Sequence, residues 1–468
     1  MRHLMLLAAA GAVVLSSGAA FADLGDQLAK LLADDGMAND NFGHSVAING
    51  TIVIVGAWFA DDNGAESGAA YLFDMTTGKQ IAKLLPDDGA AGHVFGGSVA
   101  IGNAIAIVGA PLDDDNGTNA GSAYLFDTTT GQQIAKLLPK DGAAEDWFGQ
   151  AVAISGTTAI VGARADNDNG LRSGSAYLFD TATGRQMAKL LPDDGAEFDE
   201  FGYSVAISGP PGDEIAIIGA NHDDDNGSDS GSAYLFDATT GRQIAKLLPS
   251  DGEALNWFGH SVAISGNTAI VGAFLDNDNG AASGSAYLFD ATTGRQLFKL
   301  LPHDGAAGDF FGFSVAISGV TGKEIAIVGA RLDDDNGLSS GSAYLFDTTT
   351  GKQIAKLLPD DGAADDRFGG SVAISGAAGN EFAIVGAQYD DDNSINTGSA
   401  YLFDAAAPGM CPWDVNGDGV VDHHDLVEVV HNLGPCNDPD NCPWDVNGDG
   451  IVNGRDVAAV ATHFGPCP

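Results

Sequence analysis

The sequence predicts an all-β protein: a seven-bladed β-propeller of four-stranded blades closed by an N-terminal strand, followed by a small α-helical calcium-binding module. Three observations carry this. Phe-Gly recurs at Phe42, Phe95, Phe148, Phe201, Phe258, Phe311 and Phe368, a period of 53 or 57 residues. Each copy holds four short runs rich in Val, Ile, Ala, Tyr and Phe, in the sixth copy FGFSVAIS, EIAIVGA, GSAYLFD and KQIAKLL. Gly, Asp, Asn and Thr turns separate them, and four strands per repeat at this period is the pattern of propeller blades. Finally, the seventh copy stops after SAYLFD at Asp404, while an orphan fourth strand, QLAKLL from Gln27 to Leu32, precedes the first copy. The orphan should complete the last blade, because a closed ring leaves no unpaired edge.

The chain begins with an address. Arg2 and His3 precede the apolar run LMLLAAAGAVVL, and Ala20-Phe21-Ala22 supplies small residues two apart before Asp23. This reads as a signal peptide over residues 1–22, and the apolar run is too short for a membrane span. The expected location is secreted or cell surface. The propeller is assigned to 23–404, a linker to 405–410 and the C-terminal module to 411–468.

Composition narrows the partners. Among 468 residues, 64 Asp and Glu face 20 Lys and Arg, a formal net charge of -44. Such a surface repels phosphate backbones and anionic lipids, which makes nucleic acid and membrane surfaces poor candidate partners and cations or cationic surfaces good ones. Most of the acids fall in two sets of turns. After each second strand comes DDNG, DDDNG, DNDNG or DDDNS, and after each fourth comes DDG or a relative. Alternate connections of an up-and-down blade emerge on one side, so both sets share a face. Asp-Asn-Gly forms turns readily, and its charge keeps a repetitive surface soluble. The same carboxylates could instead ligate calcium, with pairs such as Asp115 and Asn116 as the ligands. Either way the acidic face is where a protein or glycan partner is expected. Lys30, Lys83, Lys136, Lys189, Lys246, Lys299 and Lys356 occupy the fourth strands, where they are expected to guard an exposed edge against aggregation.

All four cysteines lie near the C-terminus, Cys411, Cys436, Cys442 and Cys467. In an exported chain an even set points to disulfides, with three connectivities open and symmetry favouring 411 with 436 and 442 with 467. Two near-copies contain them, CPWDVNGDGVVDHHDLVEVVHNLGPC and CPWDVNGDGIVNGRDVAAVATHFGPC. Each opens as a calcium loop with oxygen donors at positions 1, 3, 5, 9 and 12 and a backbone carbonyl at position 7. The candidate metal ligands are Asp414, Asn416, Asp418, Val420, Asp422 and Asp425, then Asp445, Asn447, Asp449, Ile451, Asn453 and Asp456. Gly419 and Gly450 supply the turns, and a helix should follow from Leu426 and from Val457.

The repeat resembles the FG-GAP repeat of integrin α-like propellers; the second copy carries both halves literally, Phe95-Gly96 and Gly109-Ala110-Pro111. The resemblance implies a propeller doing adhesion or scaffold work. It does not extend to the calcium cages some such repeats hold between the Phe-Gly and Gly-Ala strands, since here that connection reads SGTT, SGNT, SGPPGDE or SGVTGKE. The C-terminal tandem resembles a type I dockerin, which implies calcium-coupled folding and docking to a cohesin-like receptor. It departs at loop positions ten and eleven, where His423-His424 and Gly454-Arg455 replace the expected hydroxyl pair.

No nucleophile elbow, zinc-protease helix or phosphate loop is present. The expectation is a non-enzymatic calcium-binding adhesion or scaffold protein. The alternative is a propeller glycan hydrolase or lyase attached through a dockerin, which would need one blade to depart from its siblings with a buried carboxylate.

Overall fold

The computed structural model describes residues 24–405 apart from 320–321 and 377–380. In the C-terminal region it describes 420–421, 423–435, 451–452, 457, 460–461 and 465–466. The proposed signal peptide and all four cysteines lie outside the described residues.

Seven four-stranded antiparallel sheets form the blades. In the third, Phe148–Ser155, Thr158–Ala163, Ser175–Asp180 and Arg185–Leu190 follow one another outward. The seventh sheet takes its outer strand from the N-terminus: Gln27–Leu31 pairs with Ser399–Asp404, setting Leu31 opposite Ala400. The ring is thus closed by hydrogen bonds between the chain's beginning and the last repeat, as the incomplete seventh copy requires.

The repeated motif residues hold blade to blade. Phe148 is fully buried and meets Tyr177 and Phe179 of its own third strand edge-on, at ring-centroid distances of 5.5 and 5.7 Å. Its cluster also includes Ile107, Ala123 and Leu125 of the preceding blade. Every apolar cluster of the propeller is shared in this way, and the one around Phe42 joins the first blade to Ile384 and Leu402 of the seventh. The glycines allow the backbones to approach: a Cβ on Gly109 would overlap the carbonyl oxygen of Gly149 in the next blade. Gly149 itself has φ +91°, a conformation that side-chain-bearing residues rarely adopt. Phe-Gly and Gly-Ala are therefore the two sides of one joint.

In the C-terminal region a helix spans His423–His431, starting three residues before the expected Leu426 and taking Asp425 into its first turn. The twelfth position of such a loop closes it from within the exit helix, which accounts for the earlier start. Val420–Val421 pairs with Gly465–Pro466, and Gly434–Pro435 pairs with Ile451–Val452. Each near-copy thus pairs its loop exit with the other's terminal Gly-Pro.

Candidate functional site: the acidic face and the channel mouth

The turns that follow second and fourth strands do converge on one face, and the fourth-strand lysines tie them together. Lys136 lies 2.8 Å from Asp88 in the turn leaving the first blade, and 3.0 and 2.6 Å from Asp113 and Asp115 of its own blade. Tyr124, buried beneath, donates its hydroxyl to Asp113 at 2.8 Å and to Asp88 at 3.0 Å. Its ring lies under the ammonium, 5.1 Å away. The arrangement recurs around the ring, from Lys189 with Asp141, Asp166 and Asp168 to Lys30 with Asp361, Asp390 and Asp392. In the first blade Ala60 takes the place of the buried acid, and Lys83 holds only Asp35 and Asp62.

This corrects the edge-guard reading of the lysines. The Lys136 side chain is only 15% exposed, because its stem lies along the sheet and its charge is consumed by three carboxylates. Burial alone would lower the lysine pKa, but Asp115, Asp88 and Asp113 outweigh it and raise the pKa. Asp113 is fully buried, which works against ionisation. The Asp115 amide and the Lys136 ammonium nevertheless bring its pKa below the usual value. The suggested ligand pair is engaged likewise: Asp115 holds Lys136, and the Asn116 amide donates to the Pro139 carbonyl at 3.4 Å. Among the described residues no group of three or more His, Cys, Asp or Glu is arranged to hold a metal ion.

At the centre of the same face the repeats stop being alike. Three registers change from blade to blade while their surroundings barely do. The residue before Phe-Gly is Asn41, Val94, Trp147, Glu200, Trp257, Phe310 or Arg367; the one after it is His44, Gly97, Gln150, Tyr203, His260, Phe313 or Gly370; the one after Gly-Ala is Trp58, Pro111, Arg164, Asn221, Phe274, Arg331 or Gln388. The middle set apart from His44, with the Ser-Val that mostly follows it, opens onto a central cavity of about 250 Å³ between the seven innermost strands. The contacts among these side chains run both within blades and between them. Arg164 stacks on Trp147 at 4.4 Å and on Tyr203 at 5.1 Å. His260 meets Tyr203 at 5.0 Å and Phe313 at 4.8 Å, and Arg331 covers Phe313 at 3.8 Å. His44 stacks on Trp58 at 3.9 Å and shares a hydrogen bond with Gln388 at 2.5 Å.

The backbone before Phe-Gly is left-handed in all seven blades, φ 50 to 59°. Glycine would relieve that strain, yet no blade has it, and Val94 is β-branched. Several polar atoms here have no hydrogen-bond partner among the described residues: the indole nitrogens of Trp58, Trp147 and Trp257, Nδ1 of His260, Nε of Arg331 and both amide atoms of Asn221. Burial, with the nearby arginines, lowers His260 to about 3; burial followed by Arg331 lowers His44 to about 4, so both rings are neutral at physiological pH.

Glu200 is the one acid in the three registers, and it is buried. It is the blade-specific carboxylate that sequence reasoning passed over. Arg164 and Arg172 hold it at 2.9 and 2.8 Å. The signal for the whole mouth was available in the sequence as positions that vary among otherwise near-identical copies.

Of the candidate metal ligands, Val420, Asp425 and Ile451 fall among the described residues. Val420 and Ile451 are in the short paired strands, and Asp425 is fully buried in the first helical turn. Asp414, Asn416, Asp418, Asp422, Asp445, Asn447, Asp449, Asn453 and Asp456 lie outside them.

A ring of near-identical four-stranded blades, joined by Phe-Gly and Gly-Ala and closed by its own N-terminal strand, defines a repeat propeller. A family model for the FG-GAP repeat matches it seven times, over residues 26–73, 79–126, 132–179, 185–236, 242–289, 295–346 and 352–403. The chain belongs to the FG-GAP repeat family and carries a type I dockerin domain, matched over residues 412–465. No curated protein matches it.

Proposed function

We propose that this chain is an exported, non-enzymatic adhesion or scaffold protein. Its propeller face binds a protein or glycan partner, and its dockerin, folded around calcium, attaches it to a cohesin-type receptor. The observation that supports the binding role is the contrast within one face. The acid turns are locked by lysines in every blade, whereas the three central registers vary and gather aromatic rings, arginines and unpartnered polar atoms. A scaffold that repeats for stability and varies at its mouth is what recognition requires.

A hydrolase reading is less well supported. Glycoside cleavage ordinarily needs two carboxylates about 5 to 10 Å apart. The three registers carry Glu200 alone, and two guanidinium groups engage it.

For the dockerin, the donors are hard oxygens of the kind calcium takes, and the buried Asp425 at the start of the helix fits a ligand that closes its loop. Calcium there would supply folding energy by drawing Asp414, Asn416, Asp418, the Val420 carbonyl, Asp422 and Asp425 together, with the second set doing the same. No helix among the described residues is long and apolar enough to cross a membrane. Attachment through a receptor accords with that. The test is to titrate the full chain with a set of cohesin domains in calcium and in chelator, and to follow a glycan panel for product. Calcium-dependent cohesin binding without glycan cleavage is expected; cleavage at a rate dependent on Glu200 would overturn the non-enzymatic reading.

A further inference from the structure

We propose that the channel mouth is a binding site for a carboxylated sugar, such as the terminal uronate of an acidic glycan, with Arg331 as its carboxylate-binding group. This deepens the reading of the propeller as a binding module and rests on it.

Three independent features lead there. The first is charge. In a chain of net charge -44, the fourth-strand lysines each sit on two or three acids, and Arg164 and Arg172 share Glu200. Arg331 and Arg367 make no ion pair among the described residues. Instead Arg331 lies over Phe313 at 3.8 Å and Arg367 over Tyr389 at 4.5 Å. Arg331 is half-buried, has Arg367 close enough to lower its pKa, and lies over Phe313, which lines the central cavity together with Tyr203 and His260. Two neighbouring guanidiniums without a carboxylate are an anion site in waiting, and a guanidinium fork matches a carboxylate in two hydrogen bonds.

The second feature is the set of unpartnered polar atoms. Asn221 is fully buried, at the register that Arg331 occupies two blades on, and neither its amide nitrogen nor its amide oxygen has a partner among the described residues. A buried amide left this way costs about 1–3 kcal/mol. A ligand that both donates and accepts at one group satisfies it, and a sugar hydroxyl does both. The indole N–H groups of Trp58, Trp147 and Trp257, in the other mouth registers, are likewise without a partner among the described residues.

The third is shape. Aromatic faces beside polar atoms suit the alternately apolar and hydroxylated surfaces of a pyranose. The cavity, about 250 Å³, is large enough for a single sugar ring. The lysine-clasped rim lowers the repulsion an anion would meet on its way in, and the remaining field is screened within about 8 Å at physiological ionic strength.

The experiment uses the full chain with glucuronate and galacturonate, free and as the terminal unit of short oligosaccharides, beside glucose and galactose counterparts, followed by calorimetry. The expectation is binding of the carboxylated members only, at least tenfold weaker in Arg331→Met and partly retained in Arg331→Lys, with the melting temperature of each variant unchanged. Asn221→Leu should weaken binding while increasing thermal stability. Equal binding of neutral and carboxylated sugars, no binding of either, or unaltered affinity in a folded Arg331→Met overturns the inference. These outcomes leave the general binding role to its cohesin and partner tests. Slow cleavage of a sugar that binds through Arg331 would instead support the pocket and overturn the non-enzymatic reading.

Discussion

The Lys136 ammonium lies 3.0 Å from the carboxylate of Asp113, which is fully buried. The same nitrogen also holds Asp88 from the preceding blade. One lysine thus neutralises a buried charge and fastens a joint between blades, and the repeat builds this clasp around the ring. Much of the acidity that dominates the composition is structural.

Replacing Lys136 by methionine removes the ammonium that three carboxylates share. Because a buried ion left without its partner keeps its desolvation penalty, the change should cost about 3 kcal/mol. Denaturant unfolding of the variant against the parent checks this.

Gly109→Ala should be more damaging than its size implies. The added Cβ would overlap the Gly149 carbonyl in the next blade, and backbone cannot yield there without opening the joint. A loss of about 3 kcal/mol or more is expected, read as a lowered denaturation midpoint.

The fold was legible in the sequence because its causes are local and repeated. Phe42 to Phe368 mark the joints, and the missing fourth strand after Asp404 foretold that Gln27–Leu31 would close the ring. The lysine clasp was not legible, since Lys136 and Asp88 are 48 residues apart and meet only once two blades pack. Lys136 read alone is a charge on an outer strand. The mouth was half legible: Trp147, Glu200 and Arg331 stand out when the seven copies are aligned with one another. Their convergence, however, depends on the curvature of the closed ring.

Asp146 carries a pH signature. Burial pushes its carboxyl up to about 6, although its Oδ2 accepts the Ala143 amide at 2.7 Å. A folded-state pKa above the unfolded value means that its contribution is complete below about 3.9 and is lost as pH rises through 6. Asn256 occupies this register in the fifth blade, so Asp146→Asn should be tolerated. It should stabilise the chain by about 1–2 kcal/mol at pH 8 and hardly at all at pH 4, as stability curves at the two pH values will show.

Calcium is proposed to bind the dockerin alone, the acids of the propeller face being held by its lysines. Calorimetric titration of the chelator-treated full chain with calcium, beside the double variant Asp414→Ala and Asp445→Ala, tests this most directly. Two sites in the parent and none in the variant are predicted; calcium sites that persist in the variant would contradict it.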